Sequence, residues 1–333
     1  MASNAAVCGA GAFGRNHLRV YRELEREGRA ARLAAIIESD PARHSALRDE
    51  YGVPVFTSVD EALAARSRGQ VHIDAASVCV PTSAHHAIAA PLLRSGVDVL
   101  IEKPISATTE EADDLIAIAR EHSRILQVGH LERFNPAILA VQPFISRPMF
   151  FEAHRLSVFT PRSLDVDVVL DLMIHDLDIV LAFVQSPVRE IHAVGLPILS
   201  NRVDIANVRL EFDSGCVANF TASRASTEQV RKLRFFQPRE YISIDYARRD
   251  ILIIDVNGQP GSGQGAPPSL AFKKPEVEKA EPLRLEIESF LDAIQSRKAP
   301  QVSGEAGRSA LTLALQINKA IAEHGRRAGL EGF

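Results

Sequence analysis

The sequence predicts an α/β protein: an N-terminal doubly wound parallel sheet, then a second α/β domain with an open, mostly antiparallel sheet. Three observations carry that expectation. Up to about residue 129, short and almost continuously apolar runs alternate with helical patterns, as parallel strands covered on both faces require. The string Gly9-Ala10-Gly11-Ala12-Phe13-Gly14 stands directly between the first of those runs and the first helical pattern. Beyond about residue 130, strand-like runs succeed one another across short polar turns, the texture of an antiparallel sheet.

Taken in order, residues 5–8 read as a strand, 13–27 as a helix and 33–38 as a second strand. Residues 41–51 form a helix opened by Asp40 at the N-cap, with Pro41 in the first turn, where its missing N–H costs nothing. Strands at 71–80, 97–101 and 125–129 alternate with helices at 83–95 and 108–122. In the second half, 135–145 is a helix, 149–158 a strand and 165–184 a long apolar helix. Strands follow at 188–199, 203–212, 216–223, 230–236, 241–245 and 251–256, with turns such as Asp213-Ser214-Gly215 between them. Residues 257–268, rich in glycine and proline and without periodicity, read as an exposed loop. Helices at 283–297 and 305–323 close the chain, and the expected domains are 1–126 and 127–333.

At about 150 residues per domain, 333 residues suit two domains with cores of their own. The net charge of −4, from 38 basic and 42 acidic side chains, supplies no excess of cations to displace counterions from phosphates. Nucleic acid is therefore not the expected partner. No stretch approaches the ~18 apolar residues of a spanning helix, so no membrane is expected either. Met1-Ala2-Ser3-Asn4 carries no basic segment, and glycine soon interrupts the apolar run behind it, so no secretory signal is read. The three cysteines, Cys8, Cys79 and Cys216, form no C-x-x-C pair. That argues against a disulfide framework or structural zinc and for a reducing cytoplasm.

The Gly-x-Gly-x-x-Gly string is placed where a dinucleotide-binding Rossmann domain needs it. Gly9 makes the tight turn, Gly11 lets the backbone approach a diphosphate, and Gly14 lets helix pack on strand. Free N–H groups at the helix start, around Ala12 and Phe13, then face the phosphates. Glu38 ends the second strand, where a carboxylate accepts both ribose hydroxyls of an adenosine and repels a 2′-phosphate. NAD is thus expected over NADP, with Arg43 close by as the residue that would favour NADP. The competing reading of Glu38 is a solvated charge at a strand end.

The order and spacing of these and later motifs resemble the Gfo/Idh/MocA family of nicotinamide-dependent sugar and polyol oxidoreductases. The resemblance rests on residues 9–14, on Val80-Pro81-Thr82 with His85, on Glu102-Lys103-Pro104, and on Asp171-Leu172-Met173-Ile174-His175. It implies cofactor contacts from Pro81, Thr82, His85, Glu102 and Lys103, and a second domain through which the chain forms a homodimer or homotetramer. Read alone, Lys103 follows the carboxyl end of a parallel strand, where ligands bind and where an ammonium can stabilise a developing alkoxide. Asp171 and His175 lie four apart on a largely apolar helix, which suits a general base and the carboxylate that orients it. The same pair also fits a core histidine capped by the carboxylate one turn back. Asp176 and Asp178 nearby raise a metal reading with His175 and His85 or His86; no metal is expected, because hydride transfer needs none.

Where the family has a glycine-rich run and a glycine after the aspartate, this sequence has Asp165-Val166-Asp167 and Met173. Together with the stretch from Gly129 to Pro136, that segment is similar to the branch of the family that oxidises the 3-hydroxyl of UDP-N-acetylglucosamine. A diphosphate substrate would need cations, for which Arg133, Arg155 and Arg162 are the candidates. Asn135 either caps a helix or binds a sugar hydroxyl. Arg231, Lys232 and Arg234 alternate with apolar residues and read as a solvated or subunit-facing edge. Two alternatives stand beside this reading: a dehydrogenase of a free sugar or polyol, and a dinucleotide-binding regulator without catalysis. The latter has no need of Lys103, Asp171 and His175 together.

Overall fold

The computed structural model describes residues 2–159, 166–257 and 269–330. Its first half runs β1 (Ser3–Cys8), α1 (Ala12–Arg26), β2 (Ala31–Ile37), α2 (His44–Tyr51), β3 (Val55–Phe56) and α3 (Val59–Ser67). Then come β4 (Ala75–Val78), α4 (His85–Arg94), β5 (Asp98–Glu102), α5 (Thr109–Glu121), β6 (Leu126–Gly129) and α6 (Pro136–Val141). The second half holds β7 (Phe150–Val158), a short π-helix (Val169–Met173) leading into α7 (Ile174–Val184), and the strands β8 (Val188–Leu196), β9 (Ile205–Phe212) and β10 (Val217–Ser226). It ends with β11 (Val230–Gln237), β12 (Glu240–Asp245), β13 (Asp250–Asn257), β14 (Ser269–Lys273), α8 (Pro282–Ser296) and α9 (Gly304–Arg327).

These elements form two compact units, Met1–Leu131 with Glu281–Leu311 and Glu132–Ala280 with Thr312–Phe333. A single cut at residue 126 therefore misses a return of the chain. Hydrophobic burial explains the return: Leu283, Ile287, Phe290 and Leu291 of α8 join Leu18, Tyr21 and Leu24 of α1 in one core.

The first unit's sheet has the order β3-β2-β1-β4-β5-β6 with every pairing parallel. The order reverses between β1 and β4, and a crevice opens beyond the strand ends at such a switch point. Residues 52–70, unassigned from the sequence, supply β3 and α3. Two residues are too few to show a strand period, but α3 carries a legible start signal, since Ser58 Oγ accepts from Glu61 N–H at 3.2 Å.

The second unit's sheet has the order β14-β13-β12-β11-β7-β10-β9-β8, with only β7 and β10 parallel. Alternation along the strands sends Phe151 and Phe235 to one face, their rings 5.1 Å apart, with Phe183 of α7 over Phe235. The opposite face carries a cross-strand row in register: Phe150, Phe236, Tyr241, Ile254 and Phe272. Phe236 and Phe272 in that row are 39% and 64% exposed. β14 was not expected from the sequence, and the glycine/proline loop before it lies, after Asn257, outside the described residues.

Candidate active site

In the first unit, Gly9, Gly11, Gly14, Glu38, Pro81, Thr82, His85, Glu102 and Lys103 lie at or beyond the carboxyl ends of β1, β2, β4 and β5. Two of the three glycines are required by the backbone itself, each for a different reason. Gly9 has φ +86°, and a Cβ there would lie 2.8 Å from the Cys79 carbonyl oxygen. A Cβ on Gly14 would sit 1.8 Å from the Gly9 oxygen, whereas one on Gly11 would meet nothing within 4 Å. No side chain caps the start of α1 at Gly11, and Ala12 and Phe13 in its first turn are exposed.

Glu38 is buried, not solvated. Its Oε2 accepts from Ala10 N–H and from Arg43 Nη1, each at 3.0 Å, and Oε1 accepts from Asp40 N–H at 3.1 Å. The carboxylate thus ties β2 to the glycine loop, and it engages the one cation expected to favour a 2′-phosphate. Gly9, Gly11, Glu38, Arg43, Val80 and Pro81 line a cavity of about 290 Å³.

Lys103 is half-buried and follows Glu102, the last residue of β5. The Lys103–Pro104 peptide is cis. Thr82 opens a 3-10 turn, Thr82–Ala84, ahead of α4. His85 departs from its expected role as a cofactor contact. It is 1% exposed, and its ring nitrogens face two backbone carbonyls, Nδ1 at 2.9 Å from Pro104 and Nε2 at 3.0 Å from Val80. Burial pushes its pKa below the ordinary histidine value. Two residues at this edge were missed from the sequence: His17 of α1 lies against Glu102, and Glu286 of α8 lies buried nearby. Only the position of His17, just after the third glycine, could have drawn attention to it.

In the second unit, Asp171 sits within the π-helix and His175 in the first turn of α7, both half-buried. The π-helix widens the turn, so the spacing of four is no longer a simple helical repeat; such segments recur at functional sites. Asp167 anchors its start, Oδ1 accepting from the Val169 and Leu170 N–H groups and Oδ2 from Asn318 of α9, all at 2.9 Å. Arg224 of β10 donates to the Val166 carbonyl just ahead of it at 2.5 Å.

The expected phosphate-binding arginines need correction. Arg155 is 4% exposed, its Nε and Nη2 on Asp176 at 2.7 and 2.9 Å and its Nη1 on Glu132 at 2.9 Å. Burial alone would raise the Glu132 pKa, but the Arg155 charge overrides it and holds the carboxyl below its ordinary value. Desolvated carboxylates demand that cation, so it is not offered to a ligand. Arg133 faces the buried Asp178 at 3.4 Å. Asn135 caps α6, its Oδ1 accepting from Ala137 N–H at 3.1 Å, while its Nδ2 donates to Glu132. Arg162 lies outside the described residues. Arg231 and Lys232 lie on β11, and Arg234 there pairs with Glu152 of β7 at 2.8 Å.

Comparison with known proteins adds findings of three kinds: family, relatives and solved structures. Residues 3–130 match the Gfo/Idh/MocA oxidoreductase family with its NAD-binding Rossmann fold, and residues 141–238 match a C-terminal domain of the same family. The chain is 36% identical over 319 residues to a UDP-N-acetylglucosamine 3-dehydrogenase of Acidithiobacillus ferrooxidans, covering 95% of this chain and 96% of that one. It is 26% identical to an inositol 2-dehydrogenase of Rhizobium meliloti, with the same coverage of both chains. A solved structure of the Acidithiobacillus enzyme superposes with a TM-score of 0.85 over 96% of this chain and 98% of that one, at 34% identity. A levoglucosan dehydrogenase in complex with NADH, 16% identical with a TM-score of 0.82 over 97% and 98% of the two chains, shares the fold.

Proposed function

The chain belongs to the Gfo/Idh/MocA family of oxidoreductases, and from that premise we propose that it oxidises the 3-hydroxyl of a UDP-N-acetylhexosamine with NAD. The observation that carries the substrate is the end-to-end likeness to a UDP-N-acetylglucosamine 3-dehydrogenase, 36% over 95% of the chain. NAD fits the residues present. The space at Gly11 and the uncapped start of α1 suit a diphosphate, and the Glu38 carboxylate suits a free 2′-hydroxyl. Arg43, already paired with Glu38, is a poor receiver for a 2′-phosphate.

When bound, NAD supplies the hydride acceptor. Lys103 donates a hydrogen bond to the reacting hydroxyl oxygen and stabilises the charge that develops there as the proton leaves. His175 takes that proton at Nε2, its Nδ1 being shut away from solvent. Asp171 is the carboxylate that orients the imidazole. With Arg133 and Arg155 committed to buried carboxylates, the substrate diphosphate falls to other donors, Arg162 among them. The chain acts as a homodimer or homotetramer, for which the exposed row through Phe236 and Phe272 offers an apolar surface.

The test is the absorbance of reduced nicotinamide when the protein meets NAD and a panel of UDP-sugars, inositols and free sugars, with and without 2-oxoglutarate. Turnover with UDP-N-acetylglucosamine alone is expected. Turnover only with inositol or free sugars would replace this reading, as would NAD binding without turnover on any of them.

A further inference from the structure

Both chain neighbours of Lys103 are held by a buried histidine. Before it, Glu102 Oε1 lies 3.1 Å from His17 Nε2, and His17 is wholly buried. After it, the Pro104 carbonyl oxygen lies 2.9 Å from His85 Nδ1. Gly129 makes room for the first contact, because a Cβ there would come 2.8 Å from Glu102 Oε1.

Beneath them sits Glu286, fully buried, with one ligand atom each of Glu286, Glu102 and His17 within 4.8 Å of the others. Neither Glu286 oxygen has a hydrogen bond among the described residues. Two carboxylates this close and this dry cannot both stay charged at modest cost. Burial first, and the Glu102 charge second, push the Glu286 pKa well above its ordinary value. Glu102 leans on His17.

We propose that His17, through the Glu102 side chain, and His85, through the Pro104 carbonyl, are positioning residues that clamp the chain on either side of Lys103 and so set where its ammonium stands. The inference rests on the role given to Lys103 above. It extends that role to two residues with no expected contact to substrate.

Amide replacements test it, because glutamine reaches like Nε2 and asparagine like Nδ1. His17→Gln and His85→Asn should keep turnover of UDP-N-acetylglucosamine within about 3-fold of the parent. The exchanged pair, His17→Asn and His85→Gln, should lower kcat about 10²-fold with KM little changed, the usual cost of a catalytic group displaced by about 1 Å. The rate at which an amine-selective acylating reagent labels Lys103 in the unliganded protein should change in the same crossed pattern. That readout does not depend on the substrate being right.

Equal behaviour of all four folded variants in kcat and in labelling overturns the proposal, as does a KM that rises in step with the loss of kcat. Lys103→Met separates the two readings. If it retains turnover, the role given to the lysine is wrong; if it is dead while the histidine variants match the parent, only the clamp is wrong. A stoichiometric divalent metal in the isolated protein, lost in Glu286→Gln, would instead make the trio a metal site and overturn the clamp.

Discussion

At the scale of the residue, Glu38 carries the proposed preference for NAD over NADP. Its carboxylate is already bonded to Ala10 N–H and Arg43, so replacing it removes both a ribose acceptor and a brace of the glycine loop. Glu38→Ser is expected to weaken NAD about 10-fold or more and to narrow the gap to NADP, measured by fluorescence titration of both cofactors. An unchanged ratio would remove Glu38 from that role. His175→Ala and Lys103→Ala should each cost about 10²–10⁴-fold in turnover while leaving NAD affinity near the parent value. Near-normal turnover in either would sink the mechanism. Loops and charges of this kind were legible in the sequence because glycine and strand-end carboxylates act locally. Arg155 was not, because a guanidinium looks the same in sequence whether it faces phosphate or a buried carboxylate.

At the scale of the element, the helix carrying Asp171 and His175 depends on ties that lie far away in sequence. Asp204 accepts from the N–H groups of Ile198, Leu199 and Ser200 and pairs with Arg224, which in turn holds Val166 ahead of the π-helix. Burial would raise the Asp204 pKa, but those donors win and hold it at about 2. The folded value lies below the unfolded one near 3.9, so the stabilisation is complete above about pH 4 and drains away as pH falls towards 2. Asp204→Asn should remove about 2–3 kcal/mol and flatten that acid limb in thermal unfolding measured against pH. An unaltered acid limb would assign the acid loss to other carboxylates. Arg155→Ala strands Asp176 and Glu132 without their cation and should cost about 3–5 kcal/mol in denaturant unfolding, whereas an exposed arginine would cost little.

For the whole molecule, the apolar row from Phe150 to Phe272 leads to a separate expectation. Phe236→Asp with Phe272→Asp should lower the oligomeric state in sedimentation equilibrium without loss of the folded signal; an unchanged mass would place the interface elsewhere. The parallel first sheet, the glycine turn and most of the second sheet's strands were legible in the amino-acid pattern. Apolar period, turn glycines and caps are local physics, acting within a few residues. The two-residue β3, the return of α8 into the first core, the π-helix under Asp171 and the crowding of Glu286 against Glu102 and His17 were not. Each depends on groups far apart in the chain meeting where water is excluded. Desolvation, which spacing along a sequence does not encode, then decides that Arg155 neutralises buried carboxylates and that His85 braces backbone.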